Sequence, residues 1–151
     1  MKHRAPWECA SAREKRGECL PGIPPKSDQK YFEILSLCVL QAGISWRMVR
    51  ERWSSYRYGF FDFKFNRLAA IRLRDLMESQ DVVKDRRKVQ AIVHNAREFQ
   101  RITEKDGSFS DFLESLKTLD DEEAVEILTK RFRLPGEPAA RYYLHSVGHW
   151  K

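Results

Sequence analysis

Apolar residues recur every three or four positions along most of the chain, a spacing typical of amphipathic α-helices. The clearest stripe runs from Val89 to Ile102. Residues 30–41 are apolar almost all round, which predicts a central, buried helix, and Gly43 interrupts the pattern just after it. The periodicity predicts helices over residues 30–41, 46–56, 66–71, 73–78, 86–104, 108–116, 121–132 and 137–147.

Polar residues with capping chemistry stand at several of the predicted helix starts. We expect Ser27 or Asp28, Ser45 and Asn66 to accept hydrogen bonds from the first turns that follow them. The segment YGFFDFKF, residues 58–65, alternates like a strand, but no partner strand is evident, so we interpret it as a packed connection. The predicted fold class is therefore all-α.

The N-terminal region differs from the rest of the chain in composition. Residues 1–27 are rich in Lys, Arg, Pro and Gly and form a predicted basic arm, with Trp7 packed on the body, whereas residues 28–151 form the helical domain. The longest apolar run, around residues 34–40, is far shorter than the ~20 residues that a membrane span needs. The first residues also lack the apolar stretch of a secretory signal. We expect a cytoplasmic protein with no membrane partner.

The chain is basic, with 28 Lys and Arg residues against 22 Asp and Glu residues and a net charge of +6. Such a charge favours polyanionic partners, nucleic acid before a membrane surface, although a simple gain in solubility would explain it as well. Residues 84–88, KDRRK, place cations at the start of a predicted helix, where the macrodipole disfavours them. This unfavourable placement is a mild indication of function.

Three cysteines, Cys9, Cys19 and Cys38, are too few and too widely spaced for a disulfide framework. Cys38 lies in the apolar helix and is predicted to be buried. No C-x-x-C motif occurs, so we expect no cofactor. Cys9 and Cys19 could be free, paired or metal ligands.

Two segments have chemistry beyond packing. Leu134-Pro135-Gly136 joins two predicted helices, and the free N–H groups at the second helix start suit a phosphate, as in a helix-hairpin-helix over about residues 121–148. A plain αα-corner has the same turn. In LQAGISW, residues 40–46, Gly43 permits close approach and Trp46 offers a flat face for a base, although it could equally be a core tryptophan.

Together these segments resemble the bacterial 3-methyladenine DNA glycosylase I family, a branch of the helix-hairpin-helix glycosylases. The similarity covers about residues 26–148 and rests on KSDQKYFEILSLCVLQAGISW, SYRYGFFDF, NRLAAIRLRDL, VVKDRRKVQAIVHNAREF and FRLPGEPAARYYLHSVG. The resemblance implies a helical bundle of two small lobes with a cleft between them. It also implies base excision repair, in which an alkylated base is flipped from duplex DNA and its N-glycosidic bond is hydrolysed.

The resemblance implies roles for particular residues, although no catalytic residue is assignable. Trp46 would stack on the extruded base in a pocket that includes Cys38 and Gln41, and Gln41 and Ile44 would wedge the duplex. Asn95 would make a structural hydrogen bond. The implied phosphate-binding residues are Gly136, Lys130, Arg133 and Lys88.

The sequence also departs from the family. The family's Tyr-His-Asp-x-Glu-Trp-Gly segment, with its pocket tyrosines and a zinc ligand, corresponds here to REKRGECLPG. Cys38 stands where the family has a glutamate that reads the alkylated adenine, and the family's segment beyond the hairpin is not in this sequence. The substrate, 3-methyladenine or a related base, is thus left open. If the chain ends meet as they do in the family, the alternative to the absence of a cofactor is a zinc site of Cys9 and Cys19 with His145 and His149, which are four residues apart. The alternative function is a non-catalytic DNA-binding module, and we expect a monomer that associates with the nucleoid when bound to DNA.

Overall fold

The computed structural model describes residues 5–8 and 22–149. Every regular element in these residues is a helix, as the periodicity predicts. Short 3-10 turns cover Pro6–Glu8, Phe61–Phe63 and Leu116–Thr118. The α-helices are α1 (Asp28–Leu40), α2 (Trp46–Glu51), α3 (Trp53–Gly59), α4 (Phe65–Ala70), α5 (Leu73–Ser79), α6 (Arg86–Asp106), α7 (Phe109–Ser115), α8 (Asp121–Arg131) and α9 (Glu137–Ser146).

Helix starts mostly follow local capping chemistry. Ser27 accepts a hydrogen bond from the Lys30 N–H at 3.1 Å, and Asp120 accepts one from the Glu123 N–H at 2.8 Å. Asp120 shows that the acidic residues at the start of α8 serve as a cap and compensate the helix dipole. These caps fix where α1 and α8 begin.

Two predicted boundaries are wrong. The predicted helix over residues 46–56 is broken at Arg52, whose φ of −97° and ψ of 2° separate α2 from α3. Asn66 is not a cap, because α4 begins at Phe65 and Lys64 holds the N-cap position without a side-chain hydrogen bond. Asn66 instead accepts a hydrogen bond from Gln100 Nε2 at 3.1 Å. This contact between α4 and α6 is long-range and has no local sequence signal.

The core is built around α6 and α1. The apolar stripe of α6 faces inward as predicted, and Phe99 at its centre is fully buried. Its ring stacks on Phe109 of α7 with centroids 4.1 Å apart and meets Phe32 of α1 edge-on at 5.1 Å. These aromatic contacts contribute more to stability than the burial of their apolar area alone. They fix α1, α6 and α7 as a rigid frame.

The aromatic segment after α3 is a packed connection, as predicted, and not a strand. Phe61, Asp62 and Phe63 all have left-handed φ values, between 53° and 58°, which is unfavourable for residues other than glycine. Gln29 Nε2 donates to the Asp62 carbonyl at 2.7 Å, and the Arg57 guanidinium lies 3.2 Å from the Asp62 carboxylate. Contacts on both sides of Asp62 therefore hold this tight turn.

The N-terminal residues that the structure describes lie against the helical body. Trp7 packs edge-on against Trp53 with centroids 4.9 Å apart, as predicted. The Gly22 N–H donates to the His145 carbonyl of α9 at 2.8 Å, so the chain enters the bundle beside the end of its last helix. The proposed division at residue 27 and the two-lobe arrangement stay predictions. None of the helices described is long and apolar enough to cross a membrane.

Candidate functional site

The turn between α1 and α2 is a tight β-turn. The Ile44 N–H donates to the Gln41 carbonyl at 2.9 Å, and Gly43 has a φ of +80°. This conformation favours glycine at the third position of the turn. Gln41 Nε2 donates to the Ile44 carbonyl at 2.8 Å, so the amide braces its own turn. Ser45 then caps α2 through the Met48 N–H at 3.2 Å, which sets the direction in which Trp46 leaves the turn.

Lys88 of α6 holds the end of α1, directly before this turn. Its ammonium group donates to the Leu40 carbonyl at the end of α1 at 2.8 Å, across 48 residues of sequence. A cation there satisfies an orphan carbonyl and complements the negative end of the helix. Burial lowers the pKa of Lys88 below its ordinary value. The side chain is half-buried with a structural partner, and its predicted phosphate contact stays a prediction.

The hairpin between α8 and α9 is fastened to α6 by Asn95. Asn95 is 1% exposed and makes two hydrogen bonds to the backbone of Arg133. Its Nδ2 donates to the Arg133 carbonyl at 3.1 Å, and its Oδ1 accepts from the Arg133 N–H at 2.8 Å. A buried amide with both ends paired is a structural anchor, in agreement with the expected role. It fixes the hairpin relative to the long helix.

The predicted phosphate-binding residues of the hairpin lie on its open side. Gly136, with a φ of +141°, is the N-cap of α9, whose first N–H groups have no intrahelical acceptor. Arg133 is exposed and forms no ion pair with any described residue. Lys130 is paired with Glu126 at 2.7 Å on the same helix. The hairpin thus offers backbone donors and one unpaired guanidinium, and its phosphate contacts stay predictions.

A cleft of about 570 Å³ separates the two turns. Its near wall contains the predicted pocket residues Cys38, Gln41 and Trp46, and its far wall is formed by the hairpin and α9. Ile44 lies beside the cleft, half-buried against the core. The structure therefore brings the predicted pocket residues together at one opening, whereas Ile44 is not part of its lining. The far wall consists of Pro135, Pro138, Ala139 and Tyr142.

Tyr142 is a cleft residue that the sequence did not indicate. Its ring stacks on Trp46 with centroids 5.2 Å apart and an interplanar angle of 18°. Its hydroxyl donates to the Pro6 carbonyl at 2.7 Å, so the N-terminal 3-10 turn fixes the ring. Tyr142 and Trp46 are 96 positions apart (142 − 46), and no local pattern pairs them. The cleft thus has an aromatic partner for Trp46 from α9.

Cys38 is the buried end of the cleft. Its side chain is 2% exposed, and burial raises the pKa of the thiol well above its ordinary value. The group is therefore a neutral thiol at physiological pH, a weak donor and a weak acceptor. The cleft lining contains no carboxylate and no cation among the residues that the structure describes. A flat ring in this cleft would meet aromatic faces, prolines and neutral polar groups.

The structure describes two of the four residues of the zinc alternative, His145 and His149. Cys9 and Cys19 lie outside the described residues. His145 is in the last turn of α9 and His149 follows it, with Gly148 at a φ of +73° between them. Burial lowers the pKa of both imidazoles, which favours the neutral form that binds metals. Within residues 5–8 and 22–149, no group of three or more His, Cys, Asp or Glu side chains could hold a metal ion.

A helical bundle that sets a hairpin beside an aromatic cleft is the fold of the helix-hairpin-helix DNA glycosylases. The chain belongs to the methyladenine glycosylase family, whose sequence model matches residues 21–135. It is 33% identical over 95 residues to DNA-3-methyladenine glycosylase 1 of Escherichia coli (strain K12) and 34% identical over 95 residues to DNA-3-methyladenine glycosylase of Haemophilus influenzae. Each match covers 61% of this chain and 51% of the relative, so the chain spans about half the length of these relatives.

Solved structures agree with this assignment. A crystal structure of 3-methyladenine DNA glycosylase I superposes with a TM-score of 0.71 at 26% identity and covers 86% of this chain and 84% of that one. A variant of 3-methyladenine DNA glycosylase I in complex with 3-methyladenine gives a TM-score of 0.72 at 25% identity, with 86% and 82% covered. The predicted all-α glycosylase-like fold is confirmed.

Proposed function

We propose that this protein is a DNA glycosylase that hydrolyses the N-glycosidic bond of an alkylated base, 3-methyladenine or a related base, flipped from duplex DNA. The observation that carries the proposal is the open cleft between the Gln41–Ile44 turn and the hairpin, with Trp46 on its wall. Family membership and the glycosylase relatives support it. A core tryptophan would be sealed from solvent, whereas Trp46 is only half-buried and lines an opening.

The cleft residues account for the binding step. An extruded base would enter between the two turns and gain contact with Trp46, and base–aromatic stacking of this kind contributes about 1–3 kcal/mol. The braced turn would place Gln41 and Ile44 in the gap that the base leaves. Arg133 and the N–H groups at the start of α9 would hold the backbone phosphates. Duplex DNA is thus the proposed partner.

The chemistry needs few protein groups. A base alkylated on a ring nitrogen carries positive charge, so the electrons of the C1′–N bond move onto the base as the bond breaks and neutralise it. A water molecule adds to C1′ and releases a proton to solvent. The enzyme would accelerate this reaction mainly by holding the strained, extruded geometry and shielding it. No side chain is assigned as a general acid or base.

A second candidate is a DNA-binding module without catalysis. It is favoured by the neutral cleft, because Cys38 offers no carboxylate to an alkylated adenine, and by the stack of Tyr142 on Trp46, which already occupies part of the aromatic surface. This module would bind duplex DNA with a steep salt dependence and no preference for lesions.

Release of free base from methylated duplex DNA distinguishes the two candidates. We expect wild-type protein and Tyr58→Ala to release alkylated base, because Tyr58 is 88% exposed and lies outside the cleft. Trp46→Ala should be slower by roughly 5- to 150-fold, the rate equivalent of one lost base stack. Wild-type release no greater than that of Trp46→Ala would overturn the enzymatic proposal and favour the binding module.

A further inference from the structure

A second groove adjoins the cleft on the side of α6. It has a volume of about 520 Å³ and lies between the end of α1, the first turns of α6 and the hairpin turn. It shares Ala42 and Pro135 with the cleft, so the two openings meet at a common ridge. Its apolar floor consists of Val39, Ala91 and Leu134. We call this opening, lined by residues of α1, α6 and the hairpin, the flanking groove.

The rim of the flanking groove is cationic. Arg87, Lys88 and Arg133 line it, against one carboxylate, that of Asp85. Asp85 is the N-cap of α6 and accepts a hydrogen bond from the Arg87 N–H at 3.0 Å. Lys88 is committed to the Leu40 carbonyl. Arg87 and Arg133 are exposed and form no ion pair with the residues that the structure covers.

This positive charge is unfavourable for the isolated chain. Arg86, Arg87 and Lys88 occupy the first turn of α6, where the helix dipole repels cations. Arg52 lies at the break between α2 and α3. Burial is the main cause that lowers the pKa of Lys88; the Asp85 carboxylate opposes this shift, and the charge of Arg52 adds to it. Uncompensated cations that line a concave surface attract an anion.

We propose that the flanking groove binds the sugar–phosphate backbone of the DNA strand next to the extruded nucleotide, with Arg87 and Arg133 as phosphate contacts. This inference rests on the proposed function, because continuity with the cleft places the strand there. The planar guanidinium groups can bind phosphate oxygens in pairs. The apolar floor can cover a deoxyribose, and the Gln90 amide on the same wall can donate to it. Lys88 adds its charge to the rim while its ammonium group holds the end of α1.

Arg86 and Arg87 provide a matched pair for the test. Both are exposed on the first turn of α6, but Arg87 lines the flanking groove and Arg86 does not. Removal of either cation relieves the helix dipole, so both alanine variants should fold. Binding of a fluorescent undamaged duplex is measured by anisotropy over a series of salt concentrations. We expect Arg87→Ala to bind roughly tenfold more weakly at low salt and to lose about 0.9 from the slope of log K against log salt.

We expect Arg86→Ala to stay within about twofold of wild type with an unchanged slope. Gln90→Glu, which adds a negative charge inside the flanking groove, should weaken binding in the same assay. If Arg87→Ala and Gln90→Glu bind like Arg86→Ala, the flanking-groove proposal is wrong.

The same variants separate this inference from the proposed function. Trp46→Ala should slow base release far more than it weakens the binding of undamaged duplex, whereas Arg87→Ala should weaken duplex binding and raise the protein concentration at which release is half-maximal. If wild type releases no base but Arg87→Ala binds duplex more weakly, the enzymatic proposal is wrong and the flanking-groove proposal stands. If wild type releases base but Arg87→Ala binds duplex as wild type does, only the flanking-groove proposal is wrong.

Discussion

Asn95→Ala should be among the most destabilising single changes that spare the apolar core. The substitution deletes two hydrogen bonds, of 3.1 and 2.8 Å, that a 1% exposed amide makes to the Arg133 backbone. Each is worth about 1 kcal/mol net, and the Arg133 N–H and carbonyl lose their partners, which costs about 1–3 kcal/mol more if water cannot replace the amide. We expect a loss of about 2–4 kcal/mol in the free energy of unfolding.

Thermal unfolding followed by circular dichroism measures this loss. For a chain of this size, about 2–4 kcal/mol corresponds to a fall in Tm of about 5–15 °C. Gln100→Ala is the control on the same helix, since Gln100 makes one exposed hydrogen bond to Asn66, and its Tm should fall by no more than about 2 °C. A Tm for Asn95→Ala within 2 °C of the Gln100→Ala value would refute the anchoring role.

Asn95→Asp tests the anchoring role of Asn95 through the pH dependence of stability. The shape and the acceptor for the Arg133 N–H are kept, but the ionised carboxylate has no donor for the Arg133 carbonyl. A protonated carboxyl donates again, so the folded state binds this proton more tightly than the unfolded state does. Stability relative to wild type should therefore fall as the pH rises from about 4 to 7. A difference from wild type that does not vary with pH would contradict this reading.

Three further predictions concern other contacts of the site. Cys38→Glu should raise the release of 3-methyladenine from methylated DNA and lower the Tm, since a carboxylate accepts bonds from the base but is costly to bury; unchanged release from a folded variant would contradict this. Gly148→Ala should lower the Tm at least twice as much as Gly43→Ala, because a Cβ at Gly148 would lie 2.4 Å from a backbone oxygen whereas nothing lies within 4 Å at Gly43; equal losses would argue against it. Lys88→Met should lower the free energy of unfolding, measured by chemical denaturation, by about 1–2 kcal/mol, and the exposed Lys84→Met should leave it almost unchanged. The reversed order would contradict the role of Lys88 at the end of α1.

The sequence predicted the features that depend on neighbours along the chain. Helical periodicity alone identified the inward face of α6, and the buried state of Phe99 follows from it. Ser45 was a predictable cap because its hydroxyl reaches an N–H three residues on. The positive φ of Gly43 is likewise a local consequence of a tight turn. Trp46 was a candidate because its flat face suits a base and because LQAGISW belongs to the segments that resemble the family.

Features that depend on distant residues were not predictable from local pattern. The hydrogen bond from Lys88 to Leu40 joins positions 48 apart, so no local pattern indicates that this ammonium group has a structural partner. Tyr142 belongs to the cleft only because α9 packs against α1 and brings its ring onto Trp46. The break at Arg52 likewise lies within a continuous helical pattern. In each case tertiary packing decides the outcome.

The structure of the protein bound to a duplex with one cleavage-resistant alkylated nucleotide tests the central claim most directly. We expect the alkylated base to lie outside the DNA duplex, in the cleft against Trp46, with Gln41 and Ile44 in the space that the base leaves. The neighbouring phosphates should contact Arg133 and Arg87. A duplex that is held by the hairpin with every base still stacked and paired, and with the cleft empty, would contradict the account.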